Sequence, residues 1–107
     1  MWPRVWEEFT KIYLQLDDRL AKVWWGALCR SKWSEAREFR FKLWSFNSLG
    51  GANIDQCVQF WHQHLTPTGV TAVVENLVQE RRLTRRCASQ IESCIFDRLT
   101  ADGAWKD

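Results

Sequence analysis

Nothing in this chain marks a catalytic, metal or nucleotide site. The GxSxG nucleophile elbow, the Walker A loop, the HExxH zinc motif and the Rossmann glycines are all absent. No serine or cysteine sits in a recognisable nucleophile context. The adjacent Asp17 and Asp18 read as a solvated helix face rather than as carboxylates held in a cleft for acid–base work. A charge bias is lacking too: the formal net charge is +2 over 107 residues, too little to steer the whole molecule to nucleic acid or an anionic membrane. The longest apolar run, Val23 to Cys29, is far too short to span a bilayer. The amino-terminal MWPRVWEEF has neither the basic segment nor the apolar run of a signal peptide. Together these absences predict a non-enzymatic protein without cofactor or membrane span, in the cytoplasm or another intracellular compartment.

The cysteines and histidines add no metal or disulfide framework. Cys29, Cys57, Cys87 and Cys94 lack the spacing of a secreted disulfide domain, so reduced thiols are expected. Cys87 and Cys94 would share a helix face about 10 Å apart, too far for one zinc or one disulfide. His62 and His64 point to nearly opposite faces of a helix, and Cys57 is five residues from His62. All of these read as core or surface residues, and no metal is expected.

What the chain has in excess is tryptophan, eight in 107 residues. Each ring can bury roughly 150–250 Å². A hydrophobic content of 46% with 26% charged residues is that of a globular protein. The length suits one domain with its own core. The patterning predicts an all-α fold, a single compact bundle of about five helices covering residues 1–107. A loop over 47–53 (NSLGGAN) joins two helical halves, and a polar tail occupies 100–107.

The first helix is expected to run unbroken from Arg4 to about Cys29. Val5, Phe9, Ile12, Leu16, Leu20, Val23 and Ala27 form its stripe at steps of three and four. This spacing is also compatible with a coiled coil, and so with self-association through helix one. Gly26 either permits a close backbone approach or marks the helix end. The second helix takes Ala36, Phe39, Leu43 and Phe46 as its buried stripe, capped by Ser31 or Ser34. Trp33, Arg37, Phe41 and Trp44 fall on a different, mixed face, where Arg37 and Arg40 can stack on aromatic neighbours. The third helix starts at Asn53 with a capping-box pattern to Gln56. Thr66-Pro67 closes it and opens the fourth, whose stripe is Val70, Val73, Val74, Leu77 and Val78. The fifth runs from about Thr84 to Leu99. No glycine or proline divides the last two, but the apolar phase runs into Glu80 and Arg81 and so predicts a break.

Two groups of residues stand out as candidate sites. Trp2, Trp33 and Trp105 lie at segment ends, and the adjacent Trp24 and Trp25 point about 100° apart on a helix and cannot share one contact. These five are the candidate protein-binding anchors, since aromatic and arginine anchors are what protein interfaces use. The second group is the run ERRLTRR, Glu80 to Arg86. On a continuous helix Arg81 with Arg85, and Arg82 with Arg86, would make two parallel rails for a sugar-phosphate backbone. Otherwise these arginines pair with Glu75, Glu80 or Asp97. The first functional reading is therefore a protein-binding or assembly module, such as an adaptor, an inhibitor or a subunit of a larger complex. The alternative is a helical nucleic-acid-binding protein gripping phosphates through residues 81–86.

Overall fold

The computed structural model describes residues 4–48 and 53–102. Six helices and no strand occur among them: α1 (Arg4–Ile12), α2 (Asp18–Arg30), α3 (Ser34–Ser48), α4 (Ile54–His64), α5 (Pro67–Gln79) and α6 (Arg85–Asp102). The expected all-helical class is therefore found. α1 packs on α2 and α4, α3 on α2 and α5, and α6 on α5 and α2. No helix among the described residues is long and apolar enough to cross a membrane.

The sixth helix arises because the expected first one is two. The chain leaves α1 after Ile12 and turns at Gln15, whose φ of 60° is left-handed. The main chain folds back on α1's last turn, with the Leu14 amide on the Phe9 carbonyl at 3.3 Å and Leu16 on Thr10 at 3.2 Å. Asp17 then starts α2: its Oδ1 accepts from the Leu20 amide at 2.7 Å, a helix N-cap. Asp17 is thus a capping residue rather than part of a helix face. Asp18 remains on the surface, between Lys11 at 2.6 Å and Lys22 at 3.0 Å. The turn buries Leu14 and Leu16 and leaves Ile12 63% exposed, although the stripe placed Ile12 inward. The continuous seam expected for self-association is not formed, and its members Phe9, Leu16, Leu20 and Ala27 are buried inside the protein.

The remaining starts and stops follow local capping chemistry. The Asn53 side chain accepts from the Gln56 amide at 2.9 Å, and the Thr66 hydroxyl from the Gly69 amide at 3.0 Å with Pro67 in the first turn. The loop expected over 47–53 does not start at 47, because α3 continues to Ser48; residues 49–52 lie outside the described residues. The tail expected from 100 does not start there, since α6 runs to Asp102; residues 103–107 lie outside the described residues. Gly26 neither ends its helix nor admits a neighbouring backbone: α2 continues to Arg30, and a Cβ at Gly26 would meet only the Arg30 guanidinium, at 2.9 Å.

Tryptophan dominates the core. Trp6, Trp24 and Trp61 are wholly buried, and Trp25 is 3% exposed. A continuous chain of ring contacts crosses four helices. Trp6 touches Phe9 (5.1 Å between centroids), Phe9 touches Trp61 (5.3 Å), and Trp61 touches Phe39 (6.1 Å). Phe39 then meets Trp24 (6.1 Å), and Trp24 meets Trp25 (5.9 Å). The angles are mostly tilted or edge-on, the arrangement that ring quadrupoles favour. The Trp6 indole donates to the Leu43 carbonyl at 3.0 Å. The Trp24 indole N–H, equally buried, has no acceptor among the described residues.

Candidate functional site

α3 is the helix that keeps aromatic surface in solvent. Its inner side carries Ala36, Phe39 and Leu43, all buried, with Phe46 packed at the edge of the core. The opposite side carries Arg37, Phe41 and Trp44 at steps of four and three, with Trp33 immediately before the first turn, its carbonyl accepting from the Arg37 amide at 3.0 Å. Phe41 is 71% exposed and Trp33 40%. Along the axis the stripe from Arg37 to Trp44 is about 10 Å long, at roughly 1.5 Å per residue. Ser34, Glu38 and Arg40 join Arg37, Phe41 and Trp44 in lining a shallow depression open to solvent.

Arg40 holds one edge of this surface in place. Its Nη1 donates to the carbonyls of Cys29 at 2.8 Å and Leu28 at 3.4 Å, in the last turn of α2. A cation there meets the negative end of the helix dipole and adds a donor to the last-turn carbonyls. The same guanidinium lies 5.4 Å from the centre of the Trp44 ring, within cation–π range. The stacking expected for this face is therefore made by Arg40. Arg37, one turn earlier, is exposed and makes no ion pair with the described residues.

The arginine cluster does not form rails. α5 ends at Gln79, with Glu80 as its cap and Arg81 left-handed at φ 64°. The Arg82 amide reaches the Leu77 carbonyl at 2.8 Å and the Arg81 amide the Val78 carbonyl at 3.0 Å. This is a Schellman turn with arginine where glycine is usual. α6 begins only at Arg85, after the Thr84 hydroxyl has accepted from the Cys87 amide at 3.1 Å. Arg81 and Arg85 therefore do not share a helix, nor do Arg82 and Arg86. Arg85 makes a two-pronged pair with Glu75, at 2.6 and 3.2 Å, and Arg82 bonds Glu80 at 3.2 Å. Arg81 and Arg86 stay exposed.

Glu80 ties this turn to the start of α3. Its carboxylate accepts from the Ser31 hydroxyl at 3.0 Å, the Lys32 amide at 2.8 Å and the Trp33 amide at 3.2 Å, besides Arg82. Partial burial pushes its pKa up, but the Lys32 amide, Arg82, Ser31 and the Trp33 amide outweigh this and hold it below the ordinary 4.5. The bond set orders the residues that lead into Trp33. It also sets Arg82 Nε and the Lys32 amide on the same Glu80 oxygen. Neither effect is visible in the spacing of the residues, which are 47 to 49 positions apart.

The tryptophans singled out by position thus divide. Trp24 and Trp25 are both in the core and offer no surface to a partner. Trp33 is exposed, and Trp2 and Trp105 lie outside the described residues. Phe41, on the mixed face but not itself singled out, is the most exposed large aromatic side chain described. Its one sequence signal is its place opposite the Ala36–Phe39–Leu43 stripe.

No group of three or more potential ligands comes together among the described residues. The Tyr13 hydroxyl and His62 Nε2 are hydrogen-bonded at 2.8 Å, and the Arg98 guanidinium lies over the Tyr13 ring at 5.1 Å. Burial pushes the Cys57 thiol up to about 11. The Thr84 hydroxyl, with Arg19 4.0 Å from the sulfur, holds the Cys87 thiol below its ordinary range. Compared with known protein families, curated proteins and solved structures, the chain matches none of them.

Proposed function

We propose that this chain is a non-enzymatic protein-binding module that docks a partner on the outer face of α3. One observation carries the reading. Two large aromatic rings stand in solvent, Trp33 at the entrance to α3 and Phe41 two turns into it, with the exposed Arg37 between them in sequence. Exposing Phe41 leaves apolar surface wet, at about 25 cal/mol per Å². Aromatic side chains and arginine are also the residue types on which binding energy concentrates at interfaces. The face is ordered in advance by Arg40 on α2 and by Glu80 at the start of α3. Such pre-organisation lowers the entropy lost on docking.

Nucleic-acid binding is the weaker reading. Two of its four arginines are held by Glu75 and Glu80, and the two rails that would follow a phosphate backbone are replaced by a turn.

The test is site-specific photo-crosslinking in a lysate of the source cells. A benzophenone side chain replaces Phe41 in one variant and the exposed Gln90 of α6 in another. A discrete adduct from position 41, lost when Trp33→Ala is added, is the expected outcome. Equal labelling from both positions, or labelling indifferent to Trp33, would remove the α3 face as the docking surface.

A further inference from the structure

The outer face of α3 carries both halves of an ion pair and uses neither. Arg37 and Glu38 are exposed, and neither makes an ion pair with the described residues. Adjacent positions on a helix point about 100° apart, so the two do not pair with each other. Both nevertheless line one depression, together with Ser34, Arg40, Phe41 and Trp44. The depression holds about 380 Å³, and a cavity of about 150 Å³ takes a benzene ring. The ring that projects furthest from this face is Phe41, 71% exposed. A projecting ring, a hollow with room for one, a cation and an anion thus lie within about three turns of one helix.

We infer that the occupant of this face is a second copy of the chain, its α3 antiparallel across a two-fold axis, an assignment that rests on the docking face proposed above. A two-fold interface sets one patch against itself, so the patch must be its own complement. With the axis level with the midpoint of Arg37 and Glu38, Arg37 of each copy comes level with Glu38 of the other. Phe41 then comes level with Ser34 of the other copy, the smallest side chain around the depression. Two ion pairs and two seated rings form about one axis. Arg40 is not needed for this, since it already holds the carbonyls of Cys29 and Leu28. Other occupants leave a group unmatched. An acidic helix or a phosphate strand meets Glu38 in the same depression as Arg37, and a basic segment meets Arg37 beside Glu38. A docking face for an unrelated protein has no reason to be its own complement. One helix face is smaller than the ~800 Å² that each partner gives a standard interface, so the dimer is a weak one that forms as concentration rises.

Sedimentation velocity on the intact chain, from about 5 µM to about 1 mM, tests this. The expected result is a monomer that becomes a dimer across that range, and less readily as salt rises. Phe41→Ala should stay monomeric. Arg37→Glu and Glu38→Arg should each raise the dissociation constant about tenfold or more, because each sets like charges together. An equimolar mixture of those two variants should pair again, each supplying the charge the other lacks, and the double variant Arg37→Glu/Glu38→Arg should pair with itself. All of these alter exposed side chains, and their circular dichroism should match the native chain. A chain that stays monomeric throughout, or single variants that mixing does not rescue, would overturn the second-copy assignment. In either case an adduct from position 41 with a different protein, lost on Trp33→Ala, would leave the docking face standing. A dimer indifferent to Phe41→Ala would overturn the assignment by placing the contact elsewhere, and with no adduct from position 41 the docking face falls with it.

Discussion

Trp6 and Trp24 are both completely buried and differ in one respect, the fate of the indole N–H. In Trp6 it donates to the Leu43 carbonyl at 3.0 Å. In Trp24 it finds no acceptor among the described residues, held between Trp25 and Phe39. Replacing either by Phe removes a similar slice of packed ring, at a cost of about 1–2 kcal/mol in each case. Trp6→Phe also loses a buried hydrogen bond, worth a net ~0.5–1.5 kcal/mol. Trp24→Phe instead removes a desolvated donor, recovering about 1–3 kcal/mol. The two variants should therefore differ by roughly 2–3 kcal/mol, with Trp24→Phe near native stability and Trp6→Phe the weaker protein. In a domain of this size that is a separation of about 10 °C or more in Tm. Urea unfolding followed by far-ultraviolet circular dichroism measures the difference without relying on the altered fluorophores. Equal losses, or a greater loss for Trp24→Phe, would refute the assignment of the two N–H groups.

Three further outcomes follow from particular contacts. Gly26→Ala should stabilise the protein by up to about 1 kcal/mol, because the added methyl meets only the end of the flexible, exposed Arg30; thermal unfolding checks this, and a loss of stability would mean the Arg30 side chain cannot move aside. Glu80 is more acidic folded than unfolded, so its contribution is fully present above its ordinary pKa of 4.5 and is lost as pH falls through the lower folded value. Glu80→Gln should therefore flatten the acid limb of a stability-against-pH curve below that point and loosen the ordering at Trp33, read by the amide resonances of Lys32 and Trp33. Among the four thiols, alkylation at neutral pH followed by mass spectrometry should label Cys87 first and Cys57 last, since Thr84 lowers the one thiol and burial raises the other to about 11.

The elements that could be read from sequence were those whose signals are local. The Asn53 and Thr66 caps, the Val70–Leu77 stripe of α5 and the Ala36–Phe39–Leu43 stripe of α3 are each set by residues within a turn or two of one another. The break before α2 escaped because the left-handed residue is Gln15 rather than glycine, and because Leu14 and Leu16 preserve apolar content while the backbone reverses. Asp17-Asp18 was legible only as a charged pair; its position three residues before Leu20 suits an N-cap, but an unbroken stripe outweighed that. The turn at 80–84 was found by phase alone, its Schellman geometry being hidden by arginine in the glycine position. As for the site, the mixed face of α3 was readable from its spacing. The exposure of Phe41 over Trp24 and Trp25 was not, because Trp24 packs on Phe39 of α3 and Trp25 is buried beside it. Glu80's grip on residues 31–33 belongs to tertiary structure and leaves no pattern in the chain.

That grip has a consequence for how the protein is made. The entrance to α3 is fastened by a carboxylate that the ribosome adds 47 residues after Trp33. At synthesis rates of about 5–20 residues per second, the interval is roughly 2–10 s. For most of it both Trp33 and Phe41 are already translated, while the residue that orders the helix start is not yet attached. A nascent chain therefore carries the aromatic surface before it carries the latch, and the ordered entrance to α3 exists only once the second half of the polypeptide has arrived.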